Sequence, residues 1–204
     1  MLLDNEGTGK VGDVLGDVIR KDTRLSVLSG LFSIYGYAAL KDQLNQISAL
    51  RLLIPSSEGW STAGGEDVFH LKDLAGGKMD RRFRNSLNLT EIARECARWL
   101  ERKAEIRTVA LPVAQNLFHA ENPDGQNAAI HGSSSFTSGG FGVIPSDGYA
   151  MNTYFTAASE TDGLLKWFNS IWNDPASTRD IKKFVLDQLD RFVSDKSPEL
   201  IYFL

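Results

Sequence analysis

Apolar and polar positions along this chain follow two periods, and the switches between them divide it into elements. Val11, Val14, Leu15, Val18 and Ile19 recur at helical spacing and predict an opening helix. "RLSVLSGLF", Arg24 to Phe32, alternates and is bounded by glycine, as a strand does. Tyr37, Leu40, Leu44 and Ile47 form one stripe and predict a helix over 36–48. "ALRLLIP", Ala49 to Pro55, is a short apolar run stopped by proline and reads as a buried strand. A strand, helix, strand unit joined by a right-handed crossover places its two strands parallel in one sheet. From Ser56 to Lys78 the chain turns to Gly, Ser and acid, which predicts a loop with one helical turn.

Beyond that loop, Ile92, Cys96, Trp99 and Leu100 define the buried stripe of a helix over 89–103, with Thr90 as its expected N-cap. "EIRTVAL", 105–111, reads as a strand, and a hairpin follows, with strands 116–121 and 127–132 joined by "NPDGQ". In that turn Pro presets φ, Asp bonds back to the backbone, and Gly takes positive φ. "YAMNTYFTA" predicts one more strand, and helices over 160–172 and 177–193 close the chain, separated by Asp174-Pro175. The chain shows no internal repeat. The division expected is a main domain over 1–158 and a helical C-terminal segment over 159–204 packed on it.

Composition narrows the function classes. The 204 residues, 42% hydrophobic and 24% charged, suit a globular chain with a substantial core, and no apolar run approaches a membrane span. The N-terminus lacks a basic region followed by an apolar one, so the expectation is a cytoplasmic protein without a membrane partner. The net charge of −4 opposes a surface that grips nucleic acid everywhere. A local patch is the exception: "KMDRRFR" gathers Lys78, Arg81, Arg82 and Arg84, the candidate nucleic-acid contacts. The single cysteine, Cys96, rules out an intramolecular disulfide. "NEGTGKVGD" is not a P-loop, because Asp4 and Val11 stand where that loop needs Gly and Ser or Thr.

The candidate chemistry lies in "LFHAENPDGQNAAIHGSSSFTSGGFG", 117–142, where a histidine strand and a loop of hydroxyl and glycine residues meet across the hairpin. That combination resembles the single-copy active-site motif of the phospholipase D superfamily, H-x-K followed by an Asp and then G-S-x-N-F-T. His119-Ala120-Glu121 stands for the first part and Gly132-Ser133-Ser134-Ser135-Phe136-Thr137 for the last. "LSVLSGLFSIYGYAALKDQL", "LLKWFNSIWND" and "DIKKFVLDQL" are similar to segments of family members fused to superfamily 2 helicases.

The resemblance implies an α/β fold with a mixed sheet, helices on both faces and two C-terminal helices. It implies catalysis by histidine attack on phosphorus, with loop donors holding the phosphate oxygens. His119, Glu121, Ser133 and Ser135 then stand at catalytic positions, and Gly132, Ser133, Ser134 and Thr137 bind phosphate. The chain departs from the pattern at three places: Glu121 replaces lysine, Ser135 replaces asparagine, and the Asp position falls on Gln126. An anion beside a phosphodiester repels it. The expectation is therefore a degenerate domain that binds DNA or RNA, or mediates dimerisation, for a helicase region in cis. The alternative is a metal-independent nuclease or phosphodiesterase acting as a symmetric homodimer, His119 facing its mate. No metal or cofactor is expected, since His119 and Glu121 are too few ligands.

Overall fold

The computed structural model describes residues 1–55, 86–111, 113–145 and 148–194. Its elements are β1 (Leu2–Leu3), α1 (Val11–Val18), β2 (Arg24–Leu28), α2 (Ile34–Ala39), α3 (Lys41–Gln46) and β3 (Ala49–Pro55). Then follow α4 (Ser86–Lys103), β4 (Ala104–Val109), β5 (Asn116–Glu121), β6 (Ala128–Gly132), β7 (Asn152–Phe155), α5 (Ala158–Trp172), β8 (Thr178–Asp180) and α6 (Lys182–Ser194). The eight strands form one sheet in the order β1-β7-β6-β5-β2-β3-β4-β8. Strands β2, β3 and β4 run parallel, as the crossover argument requires, and the remaining pairs are antiparallel.

Because side chains alternate across a strand, each strand serves two layers. Leu25, Val27, Leu50, Leu52, Ile106 and Phe118 enter the main core with α1, α2, α3, α4 and α6. Burying each such side chain stabilises the fold by about 1.5–3 kcal/mol. Trp99 anchors this layer, fully buried, with its indole N–H donating to Leu44 O at 3.0 Å and its ring 5.1 Å from that of Tyr37. Cys96 lies in the same core, where burial pushes its thiol pKa up. On the other face Leu28, Leu53, Leu117 and Ala129 pack against Phe168 and Trp172 of α5. The two C-terminal helices thus sit on opposite faces: α5 packs on β2, β5 and β6, and α6 on α4 and β4.

Four local expectations are corrected. The helix over 36–48 is two short helices broken at Leu40 (φ −121°, ψ 20°), and the first begins earlier, capped by Ser33 Oγ, which accepts from Gly36 N at 3.1 Å. Thr90 caps nothing, because α4 starts at Ser86. The helix expected from Ser177 starts at Lys182, since Thr178–Asp180 pair with Val109–Arg107 and are held extended. Strand β2 stops at Leu28, and Phe32 returns only as an isolated bridge to Phe136. The hairpin turn matches its chemistry: Gly125 sits at φ 77°, and Asp124 Oδ1 accepts from Gln126 N at 3.0 Å. Among the described residues no helix is long and apolar enough to cross a membrane.

Candidate functional site

Strand β5 directs Leu117, His119 and Glu121 toward α5, the alternate set to the core-facing Phe118 and Ala120. His119 stands between Ser26 of β2 and Ala129 of β6 and has no solvent exposure. Its Nε2 lies 3.1 Å from the Thr161 carbonyl in the first turns of α5, an acceptor that assigns the proton to Nε2. Nδ1 has no hydrogen-bond partner. Burial holds the imidazole below its ordinary pKa, with Glu121 and the Thr161 carbonyl opposing, so the neutral ring is the native form at neutral pH.

Glu121 faces a cation. Its Oε1 is 3.4 Å from Arg51 Nη2, in a partly buried pair. Arg51 is held from every side: Ser26 Oγ accepts from Nε at 3.1 Å and Nη2 at 2.7 Å, and Asn169 Oδ1 from Nη1 at 2.8 Å. Its guanidinium carbon lies 5.1 Å from the Phe168 ring centroid and 5.8 Å from that of Trp172. A planar cation beside a stacked aromatic pair, with acceptors on Nε and both terminal nitrogens, is a packing arrangement suited to arginine.

The serine loop begins at the opposite end of β5. Gly132 pairs with Asn116, three positions before His119, a separation of about 10 Å along the strand. A Cβ on Gly132 would come 2.4 Å from Met151 O, so the close approach of β6 to β7 admits only glycine there. The hydroxyls hold the loop itself: Ser133 Oγ accepts from Met151 N at 3.0 Å, and buried Ser134 Oγ from Asn152 Nδ2 at 2.9 Å and Asn5 Nδ2 at 3.1 Å. Thr137 Oγ1 accepts from Gly140 N at 3.0 Å, and Ser135 Oγ donates to Asn116 Oδ1 at 3.4 Å. Asn116 is the hub: its amide accepts from Gly30 N at 2.8 Å and donates to Ser133 O at 3.0 Å.

Beside this loop, on the α5 face, a cleft of about 420 Å³ opens where β4 ends and β5 begins. Leu111, Val113 and Ile171 form apolar walls with Trp167, and Gln115, His131 and Asp174 supply polar groups.

No protein-family model and no curated protein matches this sequence. Among solved structures, the crystal structure of phosphatidylserine synthase from Haemophilus influenzae Rd KW20 matches 95% of this chain at 12% identity, with a TM-score of 0.50. The match takes in 43% of that chain, so this protein spans less than half its length. The fold is phospholipase D-like. At this identity the likeness speaks for the fold alone, and the chemistry has to be argued from the side chains.

Within the phospholipase D-like fold the structure separates what the motif reading combined. His119 and Glu121 lie side by side under α5, one plugged by a carbonyl and the other paired with Arg51. Gly132, Ser133, Ser134, Ser135 and Thr137 cluster around Asn116 and Asn152 instead. Lys78, Arg81, Arg82 and Arg84 lie outside the described residues. Arg51, Asn116 and the Trp167 cleft escaped sequence reasoning. Arg51 carried a usable signal, a lone cation inside an apolar strand, which needs a partner when buried. Asn116 and the cleft carried none, because their roles depend on segments distant in the chain.

Proposed function

We propose that this chain is a non-catalytic phospholipase D-like module that binds nucleic acid beside a helicase-type motor. The observation that carries the loss of catalysis is His119 itself: attack on phosphorus needs a ring nitrogen open to a phosphodiester, and this ring is fully buried with Nε2 directed at Thr161 O. Nucleic acid as partner is supported by the basic run at Lys78, Arg81, Arg82 and Arg84 and by the likeness of several segments to helicase-fused family members. A gel-shift titration with duplex and single-stranded DNA and RNA at low salt tests it. The wild type retards nucleic acid, the fourfold substitution of those cations to Ala abolishes the shift, and no EDTA-resistant cleavage appears. Cleavage lost in His119→Ala would restore the phosphodiesterase alternative, and absence of any shift would remove the binding role.

Dimerisation is the second reading, favoured by one surface. Exposed Leu31, Tyr149 and Met151 flank the serine loop, tied to it through Phe136 N on Leu31 O and Met151 N on Ser133 Oγ. Exposed apolar side chains on the segments that flank one loop favour an interaction surface there. Sedimentation of the wild type against Tyr149→Glu decides it: a dimer that becomes monomeric supports self-association through this patch, and a monomer at every concentration ends it.

A further inference from the structure

The Trp167 cleft is not used by anything argued so far, and its lining is selective. None of its lining residues is Lys or Arg, so it has no cation to neutralise a phosphate. Its walls are apolar, Leu111, Val113 and Ile171, and its aromatic member, Trp167, is 43% exposed. Five polar residues join them: Gln115, His131, Ser170, Asp174 and Ser177. Asp174 is fixed, its Oδ1 accepting from Ala176 N at 2.9 Å and its Oδ2 from the Ser177 hydroxyl. These bonds, Ser177 foremost, hold its carboxyl below the ordinary carboxylate range, so at neutral pH it is an anionic acceptor.

We infer that this cleft takes a planar, uncharged, amino-bearing ring: a nucleobase, stacked on Trp167 with its exocyclic amine directed at Asp174. The proposal rests on the nucleic-acid reading for its biological ligand. The complementarity is electrostatic as well as steric. An anionic acceptor beside the Gln115 amide suits an N–H donor edge, the apolar walls suit a flat ring, and the Asp174 carboxylate repels an anion. A bare aliphatic group would leave Gln115 and Asp174 without new partners, which a ring bearing an amine supplies. Aromatic stacking with a base is sequence-tolerant, and selection among bases comes from the polar edge. Adenine, guanine and cytosine carry the amine; uracil lacks it.

Calorimetric titration of the full chain with adenosine, guanosine, cytidine and uridine tests this, with inorganic phosphate and N-acetyl-leucinamide as the other two probes. The three amino-bearing nucleosides bind saturably, uridine about fivefold more weakly. Trp167→Leu, at an exposed position that does not endanger folding, weakens them about tenfold or more, and Trp167→Phe restores most of the affinity. Because no phosphate is neutralised, affinity changes less than about twofold between roughly 50 and 200 mM salt. Phosphate that competes with nucleosides, N-acetyl-leucinamide that binds as tightly as they do, or nucleoside affinity unchanged in Trp167→Leu would each overturn the assignment. The two proposals fail separately. A chain that binds nucleosides without retarding any nucleic acid keeps the cleft and loses the module reading; one that retards nucleic acid but ignores every nucleoside loses the cleft alone.

Discussion

On the side facing α4 the strands present Leu25, Val27, Leu50, Leu52 and Ile106; on the side facing α5 the neighbouring positions of the same strands present Ser26, Arg51 and Arg107, joined by His119 and Glu121 of β5. The first layer is apolar and held by dispersion and the hydrophobic effect. The second couples a small apolar cluster to a polar network, in which Arg51 bridges Ser26, Asn169 and Glu121 and Arg107 donates to Trp172 O at 2.6 Å. In this layer His119 and Arg51 fasten α5 to the sheet through Thr161 O and Asn169 Oδ1. Thr161 O partners the His119 ring at Nε2 and Arg51 partners Glu121, while His119 Nδ1 is left without a partner.

Trp99→Ala opens a large cavity and strands Leu44 O, and is expected to cost about 3–5 kcal/mol in urea unfolding. On the polar side Arg51→Ala leaves Glu121, Ser26 and Asn169 facing one another without their donor, at a cost of about 2–3 kcal/mol. The contrast sharpens in the double variant Arg51→Met/Glu121→Gln, which is expected to regain more than half of that loss, because the uncompensated charge goes with its partner. Recovery of nothing would mean that Arg51 acts through its aromatic contacts rather than through charge.

Acid tests the same layer through His119. The imidazole is held below its ordinary pKa in the folded chain, so between that lowered value and about 6.5 the unfolded chain binds the extra proton and the folded chain does not. Stability is therefore fully present above about pH 6.5 and falls below it, by at most about 1.4 kcal/mol per pH unit, until the folded pKa is reached. The groups facing the ring, Glu121, Arg51 and Asp162, modulate that window. His119→Leu should flatten this segment of the stability curve; an identical slope in the variant would show that another group carries it. The smallest expected effect is Glu121→Lys, which sets a cation against Arg51 and costs about 1 kcal/mol, with no gain in phosphate affinity because the position faces Arg51. Tighter phosphate binding in that variant would reopen the motif reading of Glu121.

Much of the fold was legible where local chemistry decides. Strand β3 and the bounds of β5 followed from apolar runs, and the Pro123-Asp124-Gly125 turn from the φ each residue favours. The break at Leu40 was not, since its stripe continues across both short helices. Nor was β8, whose three residues are extended only because β4 offers them an edge. The site's residues were legible in composition and their placement was not: His119 and the serine loop are close in sequence, and the register sets Gly132 beside Asn116 and Ala129 beside His119.

By itself, then, the sequence determined the periodicities, the hairpin and the parallel β2–β3 unit, because these follow from side-chain alternation and backbone preference within a few residues. Only the tertiary structure decided what His119 does. Its fate depends on Thr161, 42 residues further on, whose carbonyl is presented by a helix that packs over β5 because Phe168 and Trp172 need the apolar surface of Leu28, Leu53 and Leu117. Burial and hydrogen-bond saturation are properties of contacts between distant segments, and a side chain's reactivity is set by them as much as by its own identity.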